Sequence, residues 1–228
     1  PVICDFRSSD VALGGQGAPL VPIGDELLFG EFDALVNLGG FANISNRLNN
    51  ERIAYDVCPV NIVFNHFSRK LGHDFDRGGL IAASGNLHPE LLDRLDNMPY
   101  YSAPHPKSLG REWIEKEFLP VIEKSGIENT NDILCTLAQH AAGQIVRATG
   151  ENRSVLFTGG GAKNHFLTGI IREQLQERMI IPDETTVDFK EALIFAFMGW
   201  LRLNEIPNTI PSATGASKAI SAGAVFIP

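Results

Sequence analysis

The chain has 228 residues, 44% of them hydrophobic and 20% charged, with a formal net charge of -8. That profile fits one sizeable domain or two small lobes sharing a core, and it excludes a disordered tail, a coiled coil and a collagen-like chain. With 27 acidic against 19 basic side chains and no Lys/Arg cluster to offset them, nucleic acid is not an expected partner.

No apolar run approaches the ~20 residues needed to span a bilayer, so no membrane partner is expected. Cys4, Cys58 and Cys135 are odd in number and widely spaced. They form no C-x-x-C pair, which suits a reducing cytoplasm. The chain opens on Pro1-Val2-Ile3-Cys4 without a Met or a charged leader. No signal peptide is read in this opening, which looks like a piece of a longer polypeptide.

In chain order, Val2 to Arg7 reads as a short strand entering a loop rich in Gly and Pro. Phe32 to Leu38 is a buried strand ending in Gly39-Gly40. Ala42 to Leu48 is a second strand, Asn49-Asn50 a turn, and Arg52 to Val57 a third, together an antiparallel meander. After Pro59 the apolar spacing turns helical through Ile62, Val63, Phe67 and Leu71. Pro89 to Leu95 is another helix, and Tyr100 to Leu109 a long surface loop. Trp113 to Glu123 and Ile133 to Thr149 are two more helices, the second capped by Asn131 or Asp132 and stopped by Gly150. Ser154 to Thr158 is a strand running into Gly159-Gly160-Gly161, followed by a helix from Asn164 to about Glu177. Lys190 to Leu203 is apolar on nearly every face and reads as a buried helix. A small, Gly-rich stretch from Ser212 to Ala224 closes the chain. The class is α/β.

Three glycine clusters adjoin apolar strands: Gly14-Gly15-Gln16-Gly17, Gly39-Gly40 and Gly159-Gly160-Gly161. Glycine at such a turn lets backbone N–H groups approach a phosphate, or it simply permits a tight turn. Neither a Walker loop nor a spaced G-x-G-x-x-G is present. Asp56, near a strand end, is the best candidate for a catalytic carboxylate, and its alternative is a helix N-cap or turn residue. Arg7 either holds an anionic or hydroxyl-rich substrate through its fork of donors, or pairs with Asp5 or Asp10. Glu191 opens an apolar helix, as a solvated first-turn residue or as a ligand contact. The six histidines form no i, i+4 pair and none lies at metal-ligand spacing from a cysteine, so no structural metal site is expected.

Six stretches in order resemble the anhydro-N-acetylmuramic acid kinase family, a branch of the sugar kinase, Hsp70 and actin superfamily. They are Asp5 to Leu20, Asn37 to Ser45 (NLGGFANIS), Lys107 to Glu112 (KSLGRE), Gly159 to Asn164 (GGGAKN), Glu191-Ala192 ahead of Phe195-Ala196, and Pro211 to Ala216 (PSATGA). The resemblance covers essentially the whole chain. It implies an actin/Hsp70-like (ribonuclease H-like) two-lobed ATPase fold, with residues 1–30 a remnant and edge of the N-terminal lobe and residues 31–228 the C-terminal lobe.

The resemblance also implies a cytoplasmic sugar kinase that opens 1,6-anhydro-N-acetylmuramic acid with water and phosphorylates O6 from ATP with Mg²⁺, in peptidoglycan recycling. Asp56 would be the general base. Arg7, Asn61 and Glu191 would contact the amino sugar, and Gly39, Gly40, Gly159, Gly160, Gly161 and Asn164 would line the nucleotide. A homodimer is compatible with the family.

Two departures stand out. Where the family reads Asp-x-Gly-Pro-Gly-Asn, this chain has Asp56-Val57-Cys58-Pro59-Val60-Asn61, with side chains where backbone would approach the substrate. The family's N-terminal phosphate loop is absent as well, so these 228 residues alone are expected to be weak or inactive in catalysis. A non-catalytic nucleotide-binding or chaperone-like member of the superfamily is the alternative reading.

Overall fold

A computed structural model describes residues 1–48 and 51–227; the expected Asn49-Asn50 turn lies outside them. The elements in chain order are β1 (Val2–Cys4), α1 (Ser8–Ala12), α2 (Pro22–Leu27), β2 (Ala34–Leu38), β3 (Phe41–Leu48), β4 (Glu51–Pro59) and α3 (Asn61–Lys70). Next come α4 (Leu80–Ala83), α5 (Pro89–Asp96), α6 (Pro99–Ser102), α7 (Arg111–Trp113), a π turn over Ile114–Phe118, α8 (Leu119–Glu123) and α9 (Thr130–Thr149). The chain continues through β5 (Val155–Thr158), α10 (His165–Leu175), β6 (Met179–Ile180), α11 (Glu184–Leu203), α12 (Pro211–Thr214) and β7 (Ala224–Phe226).

The main sheet has the order β4-β3-β2-β5-β6. β2, β3 and β4 form the expected antiparallel meander, while β5 pairs parallel to β2 and β6 parallel to β5. Only β3 therefore runs against the other four, which is the ribonuclease H-like arrangement. A separate two-stranded sheet pairs β1 with β7, bringing residue 2 beside residue 226.

Period-2 alternation assigns the two faces of the main sheet. Ala34, Val36 and Leu38 of β2, Ala42 and Ile44 of β3, and Val155 and Phe157 of β5 enter the large core under α9. The intervening Leu35, Asn37, Asn43, Ser45 and Thr158 face the other way, into a cleft. A smaller core joins Leu20 and Ile23 to Ile194, Met198 and Leu201 of α11.

Four expectations need correction. The first strand ends at Cys4, because Asp5 adopts φ 53 and its carboxylate accepts from the Ser8 N–H and hydroxyl, starting α1. The cap of α9 is Asn129, whose side chain accepts from the Asn131 N–H; Gly150 ends the helix as expected. The segment from residue 100 includes the short helix α6 rather than being loop throughout. Finally, α11 starts at Glu184, capped by Asp183. It is buried on one side only, since Phe189, Leu193 and Trp200 are exposed.

Candidate active site

A cleft of about 690 Å³ opens between the polar face of the main sheet and the smaller terminal core. The sheet supplies Asn37, Gly39, Asn43, Ser45, Tyr55, Asp56, Thr158, Gly159 and Gly160. The terminal region supplies Arg7, Asp25, Lys190 and Glu191.

Asp56 lies within β4, at a bulge. Its partner on β3 is Asn43, whereas Ala42 pairs with Cys58, so Val57 is the extra residue. The bulge has a chemical consequence. Asp56 keeps the cleft face, while Val57 and Cys58 both turn into the large core. The Cys58 thiol is fully buried near the Ala141 carbonyl, and that burial pushes its pKa far above the ordinary range. Val60 is likewise fully buried. The two side chains that replace family glycines are therefore part of the core and do not narrow the cleft.

Asp56 does not cap a helix; the N-cap position of α3 is Val60. Its Oδ2 accepts the Leu109 N–H at 2.8 Å. Burial raises its pKa, partly opposed by that hydrogen bond. A carboxylate made more basic by desolvation, with one oxygen anchored, is suited to take a proton from a bound reactant.

Arg7 pairs with neither Asp5 nor Asp10. It donates to the Gly17 carbonyl at 2.6 Å. Asp10 is fully buried, accepting the Gly17 N–H at 2.9 Å and the Thr214 hydroxyl at 2.8 Å, and so ties two loops together. Glu191 sits two turns inside α11 rather than at its start, which removes the first-turn explanation, and its side chain is exposed at the cleft.

The glycines divide by what surrounds them. Gly159 has φ +83, and a Cβ there would strike Asn37 Oδ1 and approach the Leu38 backbone at 3.1 Å. A Cβ on Gly161 would come within 2.7 Å of the Leu38 side chain. Both positions let the β5 turn pack closely on β2. Gly160 meets nothing within 4 Å and faces the cleft.

The structure thus brings Arg7, Gly39, Asp56, Gly159, Gly160 and Glu191 into one lining. Asn61, Gly40, Gly161 and Asn164 lie outside it. Asn61 donates to the Leu38 carbonyl at 3.2 Å, and its backbone N–H reaches the Gly39 carbonyl. Asn164 caps α10 by accepting the Leu167 N–H.

Sequence reasoning did not single out Asp25 and Lys190, an ion pair at 2.6 Å with both side chains buried. They are 165 residues apart; the only local signal is a lysine inside an apolar helix. The polar positions Asn37 and Asn43, alternating with core residues, were a second usable signal. Among the described residues no group of three His, Cys, Asp or Glu side chains could hold a metal ion. All three cysteines are free, and among the described residues no helix is long and apolar enough to cross a membrane.

A family profile described as anhydro-N-acetylmuramic acid kinase matches residues 1–228. A protein of that name from Haemophilus influenzae is 36% identical over 251 residues, covering 99% of this chain and 65% of the relative. Its namesake from Streptomyces coelicolor is 37% identical, covering 99% of this chain and 61% of the relative. The chain therefore spans somewhat less than two thirds of the length of the curated relatives it matches. One solved structure, the activator of the 2-hydroxyisocaproyl-CoA dehydratase from Clostridium difficile with bound ADPNP, is 17% identical with a TM-score of 0.42, covering 72% of this chain and 59% of its own. On the profile match over residues 1–228 and these identities, the chain belongs to the anhydro-N-acetylmuramic acid kinase family.

Proposed function

We propose that this chain supplies the catalytic base and one wall of the substrate cleft of an ATP-dependent kinase acting on 1,6-anhydro-N-acetylmuramic acid. The observation that carries the reading is Asp56: a desolvated carboxylate on the cleft face, held by one oxygen, in one lining with Arg7 and Glu191. In this scheme Asp56 takes a proton from the water that attacks the anomeric carbon. The bond from that carbon to O6 breaks, O6 takes the γ-phosphoryl group, and ADP leaves. Arg7 and Glu191 orient the sugar through its hydroxyl and carboxylate groups, with Asn61 holding the Gly39-Gly40 turn on the sheet wall. Gly39, Gly159 and Gly160 let the nucleotide approach the backbone, and Gly40, Gly161 and Asn164 keep those turns in shape.

When bound, Mg²⁺ supplies charge neutralisation at the β- and γ-phosphates. The donor set fits an ion held mainly by phosphate oxygens and water, because Asp25 is paired with Lys190 and Asp188 with Lys163. By the same reading residues 1–30 are the edge of a first lobe and residues 31–228 the C-terminal ATPase-fold lobe. The enzyme would act in the cytoplasm, in recycling of cell-wall amino sugars. In-line phosphoryl transfer depends on positioning, and the curated relatives are longer than this chain, so the 228 residues alone should turn over little or no substrate. With Cys58 and Val60 in the core, the feature that pointed to a non-catalytic relative loses its force.

The test is ADP release from MgATP by the full-length protein, with and without the anhydro sugar, beside the 228-residue chain. The reading requires sugar-dependent release by the full-length protein. Its absence from a folded protein would refute the kinase assignment.

A further inference from the structure

We infer that residues 99–110 form a positioning strap, in which Tyr100 and Lys107 set the orientation of the Asp56 carboxylate. This rests on the reading of Asp56 as the base. β4 is an edge strand of the main sheet, so beyond Asp56 no further strand takes up its backbone groups. The strap does so instead, with three hydrogen bonds to this one residue. The Asp56 N–H donates to the Lys107 carbonyl at 3.2 Å, the Tyr100 hydroxyl donates to the Asp56 carbonyl at 2.5 Å, and the Leu109 N–H donates to Oδ2 at 2.8 Å. Among the described residues Oδ1 has no protein partner, which leaves it as the oxygen available to a reactant.

Lys107 closes the strap on itself. Its ammonium donates to the Tyr100 carbonyl at 3.1 Å and the Tyr101 carbonyl at 3.5 Å, and lies 4.7 Å from the Tyr100 ring centre and 5.6 Å from that of Tyr55. Burial lowers its pKa, in keeping with an ammonium withdrawn from water. The near end of the strap is tied to the core. The Tyr101 hydroxyl lies 2.8 Å from His140 Nε2, and His140 Nδ1 lies 2.6 Å from Asp96. Removing the Lys107 charge would leave the Tyr101 carbonyl without its donor, leave the Tyr100 carbonyl only the Ala103 N–H, and free the segment that carries the Leu109 N–H. The carboxylate would then lose its fixed direction while the rest of the cleft stayed in place.

The experiment uses the full-length protein and its Lys107→Met and Tyr100→Phe variants, measuring kcat and both KM values alongside thermal melts. Displacing a reacting group by about 1 Å costs on the order of 100-fold in rate. The strap therefore predicts a kcat loss of about 100-fold for Lys107→Met and about 10-fold for Tyr100→Phe, with KM for sugar and ATP within about twofold. A raised sugar KM with unchanged kcat would instead make Lys107 a substrate contact and overturn the proposal, as would wild-type kcat in both variants. Should Lys107→Met fail to fold, Tyr100→Phe, which removes a single oxygen, decides alone. The ¹³C shift of the Asp56 carboxyl at one fixed pH separates the two possible failures. A shift moved by Tyr100→Phe, in a protein without sugar-dependent turnover, refutes the kinase reading and leaves the strap standing. An unmoved shift refutes the strap whatever the turnover.

Discussion

The two walls of the cleft are built by different physics. On the sheet side, alternating apolar residues bury one face against α9, and Phe157, Ile44 and Leu38 are almost completely inaccessible. Position there follows from packing: Asp56 is fixed on the cleft face because Val57 and Cys58, which follow it, are both anchored in the core. On the terminal side the apolar core is small, and polar side chains hold the segments. Asp10 joins residues 17 and 214, Asn208 bonds the backbone of Met198 and Ala222, and Lys190 pairs with Asp25. A site on such a seam gains a rigidly placed carboxylate from one wall and adjustable charged contacts from the other.

The difference can be broken first on the sheet side. Phe157→Ala should destabilise the chain by about 4 kcal/mol, through lost burial and the cavity left under α9. Chemical denaturation would measure it, and a loss below about 1 kcal/mol would show that the sheet does not carry the core. On the terminal side, Lys190→Met should cost about 3 kcal/mol by stranding the buried Asp25 carboxylate. Adding Asp25→Leu should recover most of that loss, since an apolar pair removes the uncompensated charge. A double variant no better than the single would mean that the pair contributes packing rather than charge balance.

The smallest effect concerns Asp56 and pH. Its raised pKa means that the folded state disfavours the charged form, so the stability it contributes is present below the unfolded value of 3.8 and is lost as pH rises. Asp56→Asn should therefore melt above wild type at pH 7, with the gap closing as pH falls toward 3.8. Equal melting temperatures at both pH values would remove the argument that the site stores basicity at the expense of stability.

Much of the sheet side was legible in the residues. Period-2 runs bounded by Gly39-Gly40 announced the meander, and Gly159 marked the end of β5. The bulge at Val57 was not legible, because one extra residue leaves no compositional trace; its effect is that Cys58 points inward. Helix starts were blurred where several capping residues adjoin. Asn129, Thr130, Asn131 and Asp132 all suit an N-cap, and only the structure shows that Asn129 is used. The early turns of α11 contain Thr185, Thr186 and Val187, whose β-branching weakens the helical signal and hid six residues of the helix before Lys190. The terminal wall was least legible. Its defining contacts, Asp25 with Lys190 and Asp10 with Thr214, join residues 165 and 204 apart, a distance over which no local pattern operates.

The most direct measurement is sugar-dependent ADP release by the full-length protein against its Asp56→Asn variant, with folding of both confirmed by thermal melts. Loss of a general base predicts a fall in kcat of about 10²- to 10⁴-fold with nucleotide binding retained. A folded Asp56→Asn protein that keeps wild-type turnover would contradict the assignment of Asp56 as the base.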